Sequence, residues 1–151
     1  ESKLKDHFCE VDFSELIKIS VSNYLPKIEE KKINFTSQNE PHVLVYANAD
    51  LLNIVMNNLL QNAVKFVDES GSIFLSLSQE KLVLRNSGEP IPPELLTKVF
   101  DSFMKVEKSR STEGYGIGLS IVKWICDLHS FKIEISSNLD EGTTVSLHFK
   151  N

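Results

Sequence analysis

Apolar residues recur along this chain at two spacings, and the first long stretch has the spacing of a helix. The segment DFSELIKISVSNYLPKIEEKK begins at Asp12 and carries apolar residues every three or four positions. These positions are Ile17, Val21, Tyr24 or Leu25, and Ile28. Asp12 or Ser14 can cap the start of this helix, and we expect Pro26 to kink or shorten it.

Two longer helical patterns follow, one from Ala49 to Phe66 and one from Ile117 to His129. The apolar stripe of the first consists of Leu52, Val55, Met56, Leu59, Leu60 and Ala63. The second is apolar on nearly every side, so we expect it to be buried, with Ile121 and Trp124 in the core. A short helix is predicted in PPELLTKVFDSF, with proline near its first turn.

The remaining apolar residues alternate in the way that is typical of strands. INFTS and HVLVYAN are predicted as single strands, and SIFLSLSQEKLVLRN as two strands around a turn at Gln79 and Glu80. KIEISS and TVSLHF form a closing hairpin around NLDEGT. These elements predict an α+β domain of two layers, with a mixed, mostly antiparallel sheet of about five strands and about three helices on one face.

Length and composition are those of one ordinary globular domain. The chain has 151 residues, of which 41% are hydrophobic and 25% charged. It carries no run of 18 apolar residues and no signal-peptide pattern, so we expect no membrane contact by this domain. It does not begin with Met, and we expect it to be part of a longer protein.

Charge and cysteine usage narrow the possible functions further. A net charge of −5 argues against nucleic-acid binding, which usually requires a basic face. Cys9 and Cys126 are isolated and lack the spacing of a zinc site, which favours a reduced, cytoplasmic setting. An anionic small molecule remains compatible with this composition, because backbone amides and a few local cations can hold one.

The helix from 49 to 66 carries a polar stripe in NNLLQNAVKF. Asn58, Asn62 and Lys65 are spaced by four and three residues and so share one helix face. An asparagine oxygen can bind Mg²⁺, and a lysine one turn further on can neutralise phosphate charge. The same stripe could also be an ordinary solvated face.

Three glycine-containing segments follow the helix, and each has a structural and a functional interpretation. LVLRNSGEPIP ends a strand near Asn86 and turns at Gly88. EGYGIGLSIVKW places Gly114, Gly116 and Gly118 directly before a helix, where backbone amides could approach a phosphate or a hinge could bend. The last segment, DEGTTV, on its own reads as a hairpin turn.

The order of these motifs resembles the ATP-binding catalytic domain of sensor histidine kinases. The resemblance is close at NLLQNAVKF, VFDSF, GYGIGLSIVK and EGTTV, and it extends from about Val11 to Phe149. The same superfamily contains gyrase, chaperone and mismatch-repair ATPases, and the resemblance implies their Bergerat fold. It further implies that residues 11–151 form the catalytic domain and that residues 1–10 connect it to an upstream dimerisation helix.

For the nucleotide site, the resemblance implies a Mg²⁺ ligand at Asn62, phosphate-facing catalytic positions at Asn58 and Lys65, and an adenine neighbour at Phe66. Asn86 stands where the family has an adenine-reading Asp, and Pro90 stands where it has a second glycine. The further nucleotide contacts that it implies are Gly88, Ile91, Phe100, Lys105, Arg110, Gly114, Tyr115, Gly116, Ile117, Gly118, Leu119 and Thr143. Residues 104–113, which are charged and poor in apolar anchors, would be a mobile lid over the nucleotide.

One position separates histidine kinases from hydrolases in this superfamily. ATP-hydrolysing relatives carry a glutamate one turn before the Mg²⁺-binding asparagine, and that glutamate acts as a general base. This chain has Asn58 there, which favours phosphoryl transfer to a histidine on another domain. None of its four histidines lies in an acceptor motif, and His129 is expected at a helix C-terminus, where a partly positive ring suits the dipole.

The resemblance therefore predicts a protein-histidine kinase domain that uses ATP and Mg²⁺ and releases ADP. Its expected partners are the phosphoacceptor dimerisation domain of the same kinase and a response regulator receiver domain. Two alternatives remain from the sequence: a catalytically weak nucleotide-sensing or docking module, because Asn86 and Pro90 depart from the family motif, and an ATP hydrolase of the same superfamily. A domain that binds proteins but no nucleotide would leave the glycine placement unexplained.

Overall fold

The computed structural model describes residues 2–100 and 117–150, which form two layers. The helices are α1 (Ser2–Lys5), α2 (Phe13–Ser22), α3 (Leu25–Glu30), α4 (Ala49–Phe66), α5 (Pro93–Leu96) and α6 (Ile117–His129). The strands are β1 (Cys9–Asp12), β2 (Asn34–Asn39), β3 (Leu44–Ala47), β4 (Ser72–Leu77), β5 (Lys81–Asn86), β6 (Lys132–Asn138) and β7 (Gly142–His148). Within these residues no helix is both long enough and apolar enough to cross a membrane. The predicted mobile segment 104–113 lies outside the described residues.

The main sheet has five strands in the order β2-β4-β5-β7-β6. In the part of the chain that the structure describes, only β2 and β4 of this sheet pair in parallel, and its other three pairings are antiparallel. This confirms the predicted α+β class and the mixed, mostly antiparallel sheet of five strands. The core lies between one face of this sheet and the helices, and its buried cluster includes Ile73, Leu75 and Leu77 of β4 and Met56 and Leu60 of α4.

The chain also forms a small second sheet that the sequence pattern did not reveal. β1 pairs antiparallel with β3, from Cys9 opposite Ala47 to Asp12 opposite Leu44. The predicted strand HVLVYAN therefore joins β1 rather than the main sheet. CEVD has too few apolar residues to be recognised as a strand, and the expected connector boundary between residues 10 and 11 falls inside it.

Local sequence signals explain the helix boundaries. Asp12 caps α2, because its side chain accepts a hydrogen bond from the Glu15 amide at 3.2 Å. The single helix predicted through Pro26 is divided in two: α2 ends at Ser22, and α3 begins with the proline in its first turn. Asn48 caps α4 in the same way, since its side-chain oxygen accepts from the Leu51 amide.

A buried pair of polar residues joins the start of α4 to the end of α6. The Asn48 backbone N–H donates to His129 Nε2 at 3.2 Å, and His129 Nδ1 lies 2.8 Å from the Ile125 carbonyl oxygen. Because an N–H group only donates and a carbonyl oxygen only accepts, the ring must be neutral with its proton on Nδ1. The expectation of a partly positive ring is therefore wrong, and burial also lowers the pKa of His129.

The last helix has an exposed side, which corrects a second expectation. Val122 and Ile125 of α6 are buried, but Trp124 is 48% exposed and Ile121 39%. A helix in a two-layer domain is covered only on the side that faces the sheet, so an apolar outer side remains in solvent. Trp124 is therefore not the core residue that the sequence pattern predicted.

This exposure predicts a modest cost for Trp124→Ala. We expect it to lower the free energy of unfolding by about 1–2 kcal/mol, because roughly half of the indole is already in water. Ile125→Ala, on the buried side of the same helix, should cost about 2–5 kcal/mol. Urea unfolding followed by circular dichroism measures both values; an equal cost for the two variants would contradict the exposed placement of the indole.

The neutral His129 predicts a loss of stability in acid. Its folded pKa lies below the unfolded value of 6.5, so its contribution is complete above pH 6.5 and is lost as the pH falls from 6.5 towards the folded pKa. Urea unfolding at pH 7.5 and 5.5 should show this drop in the parent chain and in His7→Gln, whose site is exposed. The drop should be smaller in His129→Gln; an identical drop there would show that His129 does not cause it.

Candidate functional site

A cavity opens between α4, the end of β5 and the hairpin formed by β6 and β7. Its walls are mostly apolar, with a few polar groups among them, as is usual in ligand sites. They consist of Leu59, Asn62, Ala63, Phe66, Leu84, Asn86, Glu89, Ile91, Leu119, Ile135, Thr143 and Val145. The free volume is about 30 Å³, room for one or two water molecules.

Strand register brings the sheet residues of this cavity together. Asn86 lies opposite Thr143 in the pairing of β5 with β7, and Leu84 lies opposite Val145. Val145 is in turn opposite Ile135 of β6. Because side chains alternate along each strand, these residues share the face that α4 covers. The strand-end asparagine and the hairpin threonine are therefore neighbours although 57 positions separate them in the chain.

The turn after β5 lies in close contact with two other backbone segments, the end of α4 and the start of β7. Gly88 has a φ of +130°, and a Cβ atom there would lie 2.6 Å from the Phe66 carbonyl oxygen. Gly142 has a φ of +75°, and a Cβ atom there would lie 2.0 Å from the Asn86 carbonyl oxygen. Both positions require glycine, since other residues rarely adopt these φ values and no space for a side chain exists.

Hydroxyl groups secure the same turn. Ser87 Oγ donates to Asp68 Oδ1 at 2.6 Å and accepts from the Ser72 amide at 2.8 Å. On the other side, the Ile91 amide donates to Ser137 Oγ, which lies 2.8 Å from Thr143 Oγ1. These bonds tie the segment from Ser87 to Ile91 to the α4–β4 turn and to the last hairpin. The turn after β5 and the Thr143 hydroxyl are therefore held in place by hydrogen bonds within the protein.

Asn62 carries a buried polar group in the cavity wall, its Nδ2 atom, that lacks a hydrogen-bond partner among the described residues. Leaving a buried amide unpaired costs about 1–3 kcal/mol, so such a group calls for an explanation. A polar ligand in the cavity would supply the missing partner, either at Nδ2 or at the amide oxygen after a flip of the side chain.

Asn86 is oriented by its own turn. The side chain is 8% exposed, and its Nδ2 donates to the Ser87 carbonyl oxygen at 3.0 Å. The side-chain oxygen is then the end that can accept a hydrogen bond from a ligand. An asparagine in this orientation offers an acceptor without the charge of an aspartate.

Six of the expected nucleotide contacts line this cavity. They are Asn62, Phe66, Asn86, Ile91, Leu119 and Thr143. The structure does not place Asn58, Lys65, Gly88 or Phe100 in its walls. Lys105, Arg110, Gly114, Tyr115 and Gly116 lie outside the described residues, and of Ile117 and Gly118 only the helical backbone is described.

The four described residues that do not line the cavity have other contacts. Asn58 donates from Nδ2 to the Ile54 carbonyl oxygen one turn earlier on α4, at 2.8 Å. Lys65 is exposed, with its Nζ atom 5.4 Å from the centre of the Phe66 ring. Gly88 forms the turn beside the cavity, and Phe100 packs against the core. Any role of these residues toward phosphate stays a prediction.

Sequence reasoning missed Leu59, Ala63, Leu84, Glu89, Ile135 and Val145, which also line the cavity. Five of the six are apolar and were assigned to the core in general, because alternation and helical period show that a residue is buried but not what it faces. Glu89 follows Gly88 in the glycine turn, and its carboxylate is the one acidic group among the lining residues.

Comparisons with known proteins agree with this architecture. Residues 47–151 match the model of the family described as histidine kinase-, DNA gyrase B-, and HSP90-like ATPase. The adaptive-response sensory kinase SasA of Thermosynechococcus vestitus is 31% identical over 149 residues, which cover 95% of this chain and 39% of SasA. The probable sensor kinase SilS of Salmonella typhimurium is 37% identical over 102 residues, 64% of this chain and 20% of SilS.

Solved structures give the same result. The nucleotide-free catalytic domain of histidine kinase ThkA superposes with a TM-score of 0.81 at 30% identity, covering 93% of both chains. A mycobacterial sensor histidine kinase, MprB, superposes with a TM-score of 0.77 at 26% identity, covering 93% of this chain and 95% of that one. Fold and site thus define an ATP-binding catalytic domain of the sensor histidine kinase type.

The chain belongs to the histidine kinase-, DNA gyrase B-, and HSP90-like ATPase family, because the family model matches more than two thirds of its length. This confirms the resemblance found in the motifs. The chain spans well under half the length of the curated relatives it matches. The activity and partners of the whole protein are therefore proposals.

The close backbone contacts predict the effect of Gly142→Ala. Its Cβ would meet the Asn86 carbonyl oxygen, so the hairpin must move, and we expect a loss of about 1–3 kcal/mol in the free energy of unfolding. The amide resonances of Asn86 and Ser87 should shift in the NMR spectrum. Ser136→Ala, an exposed position on the same hairpin, serves as the control; equal effects from the two variants would contradict the contact.

Proposed function

We propose that this domain binds Mg·ATP in the cavity and donates the γ-phosphoryl group to a histidine on a separate dimerisation domain. The observation that carries the proposal is the buried Nδ2 of Asn62, which has no partner among the described residues, in a cavity whose strand-end wall holds an oriented Asn86. The family and the sensor kinases among its relatives support the reaction class.

The adenine ring would lie against the apolar walls, between Phe66 and Ile91. Its amino group would donate to the side-chain oxygen of Asn86, and the Thr143 hydroxyl would lie beside the base. The hydrogen bonds that hold Ser87, Ser137 and Thr143 support this arrangement, since they fix these groups in advance. The phosphates would extend along α4 towards Asn62, Asn58 and Lys65.

The donor set fits Mg²⁺ that is held mainly by phosphate oxygens and water. No group of three or more His, Cys, Asp or Glu side chains that could hold a metal ion occurs among residues 2–100 and 117–150. Mg²⁺ typically binds with one or two protein oxygens and completes its shell with phosphates and water. Asn62 would supply such an oxygen, and the ion would neutralise phosphate charge.

The domain's own part in the transfer would be positioning. An imidazole nitrogen of the acceptor attacks the γ-phosphorus, a phosphorus–nitrogen bond forms, and the bond to the bridging oxygen breaks to release ADP. Asn58 cannot take a proton at neutral pH, and its amide is bonded to the Ile54 carbonyl. This supports transfer to a histidine over activation of water by a general base.

The remaining parts of the proposal concern the whole protein. Histidine kinase ThkA has been solved in complex with response regulator protein TrrA, and a receiver domain is the corresponding partner proposed here. Residues 1–10 would connect to the dimerisation domain. Two free cysteines are in line with the proposed cytoplasmic location.

Nucleotide binding to Asn62→Ala tests the proposal. Loss of a hydrogen bond to a charged ligand costs about 1.5–3 kcal/mol, so Kd for ATP with Mg²⁺ should rise about 10- to 100-fold by calorimetry. Thermal stability should be retained, because Nδ2 of the removed side chain has no hydrogen-bond partner among the described residues. Asn57→Ala, an exposed position on the same helix, should bind normally.

Three results would contradict the proposal. The first is no binding of ATP or ADP to the parent chain at millimolar nucleotide in the presence of Mg²⁺. The second is binding without phosphorylation of an added acceptor domain, which would favour the nucleotide-sensing module. The third is rapid ATP hydrolysis by the isolated domain that Asn62→Ala abolishes, which would favour the hydrolase.

A further inference from the structure

Strand β2 is one of the two edge strands of the main sheet, and its outer side is open. Backbone groups alternate along the strand: the Asn34 amide donates to the Gly71 carbonyl, and the Glu40 amide donates to the Leu77 carbonyl. The backbone N–H and C=O groups of Thr36 and Gln38 therefore also point towards β4. Those of Phe35, Ser37 and Asn39 point outward, away from β4. Among the described residues, no strand pairs with this edge.

This edge lacks the usual protection against pairing. Exposed edge strands commonly carry lysine, proline or a bulge that discourages a further strand. The sequence of β2 is NFTSQN, which contains no charge and no proline, and all its pairings with β4 are in continuous register. Five of its six residues are exposed, so a partner strand can reach it.

A cavity of about 600 Å³ lies beside this edge, between β2 and helices α2 and α3. Ser37 and Asn39 form its sheet side, on the face where the adjoining β4 residues Leu75 and Leu77 are buried. Val21 and Leu25 provide apolar wall on the helix side. The edge and the cavity together can accept backbone and side chains of an extended segment.

The rim of this groove is acidic. Asp12, Glu15 and Glu40 line it, against a single lysine. That residue, Lys18, already pairs with Glu15 at 3.6 Å, and the exposed ring of His42 lies 3.7 Å from Asp12. Three carboxylates against one ammonium group favour an occupant with positive charge.

We propose that the β2 edge docks an extended, lysine- or arginine-bearing segment of a partner protein as a sixth strand of the sheet. Main-chain bonds to Phe35, Ser37 and Asn39 hold the segment, and its cationic side chains meet the acidic rim. A second copy of this chain is disfavoured, because two acidic rims would be brought together. The inference does not rest on nucleotide binding, which takes place at another part of the domain.

Amide hydrogen exchange with a synthetic probe tests the docking directly. An N-acetylated octapeptide of alternating lysine and valine should slow exchange at the Phe35, Ser37 and Asn39 amides. Exchange at Thr36 and Gln38 should stay as it is, since these amides are already bonded to β4. A matched peptide of alternating glutamate and valine should not protect the edge.

Two variants separate the contribution of charge from that of the strand edge. Glu15→Lys should weaken binding of the lysine peptide about 10-fold, whereas Glu69→Lys, the same change away from the groove, should not. Ser37→Pro removes an outward N–H without breaking a bond to β4, so it should abolish protection at the edge while melting near the parent chain.

The proposal is overturned if the lysine peptide leaves the three edge amides unprotected at millimolar concentration. It is equally overturned if the glutamate peptide protects them as well, or if sedimentation shows that edge protection comes from self-association of the chain. The exchange measurement uses the parent chain, so a failure of Ser37→Pro to fold leaves the test intact.

Discussion

The site depends on the lack of space around one backbone turn. The carbonyl oxygen of Phe66 occupies the position of a Gly88 side chain, and the carbonyl oxygen of Asn86 occupies that of a Gly142 side chain. Helix α4, the end of β5 and the last hairpin therefore meet through main-chain atoms, whose positions do not vary with rotamers. The spacing between Asn86 and Thr143 follows from this contact and from the strand register.

The opposite end of α4 is fixed by different chemistry. Asn48 uses its side-chain oxygen for the Leu51 amide, its Nδ2 for the Leu4 carbonyl oxygen and its backbone N–H for His129. An 18-residue helix is about 27 Å long, so these bonds are far from the cavity. They hold α4 against α6 and against the N-terminal segment, and they require a neutral ring at His129. The helix that carries Asn62 is thus anchored by close backbone contact at one end and by hydrogen bonds of Asn48 at the other.

Periodicity predicted most of the elements, and for physical reasons it could not predict the rest. The bounds of α4 and α6 agree with the pattern residue by residue, since each has an apolar stripe with clear termini. The strand β1 was missed because CEVD is stabilised by its pairing with β3 rather than by apolar side chains. Trp124 was misplaced because composition does not show which side of a helix is covered. Asn62 was found through the resemblance of its segment to a known motif. That its Nδ2 is buried without a partner among the described residues could be seen only from the structure.

The parallel pairing of β2 with β4 has a consequence for the order in which the molecule assembles. These strands are joined through β3 and all of α4, so the chain between them must fold back before the first bond of the pair can form. The antiparallel strands β4 and β5 are joined by a short turn, so bringing them together costs much less chain entropy. We therefore expect β2 to join last and to detach first in native-state fluctuations. Strand β2 is then the part of the sheet whose stability a bound partner can change most, because its pairing forms last and breaks first.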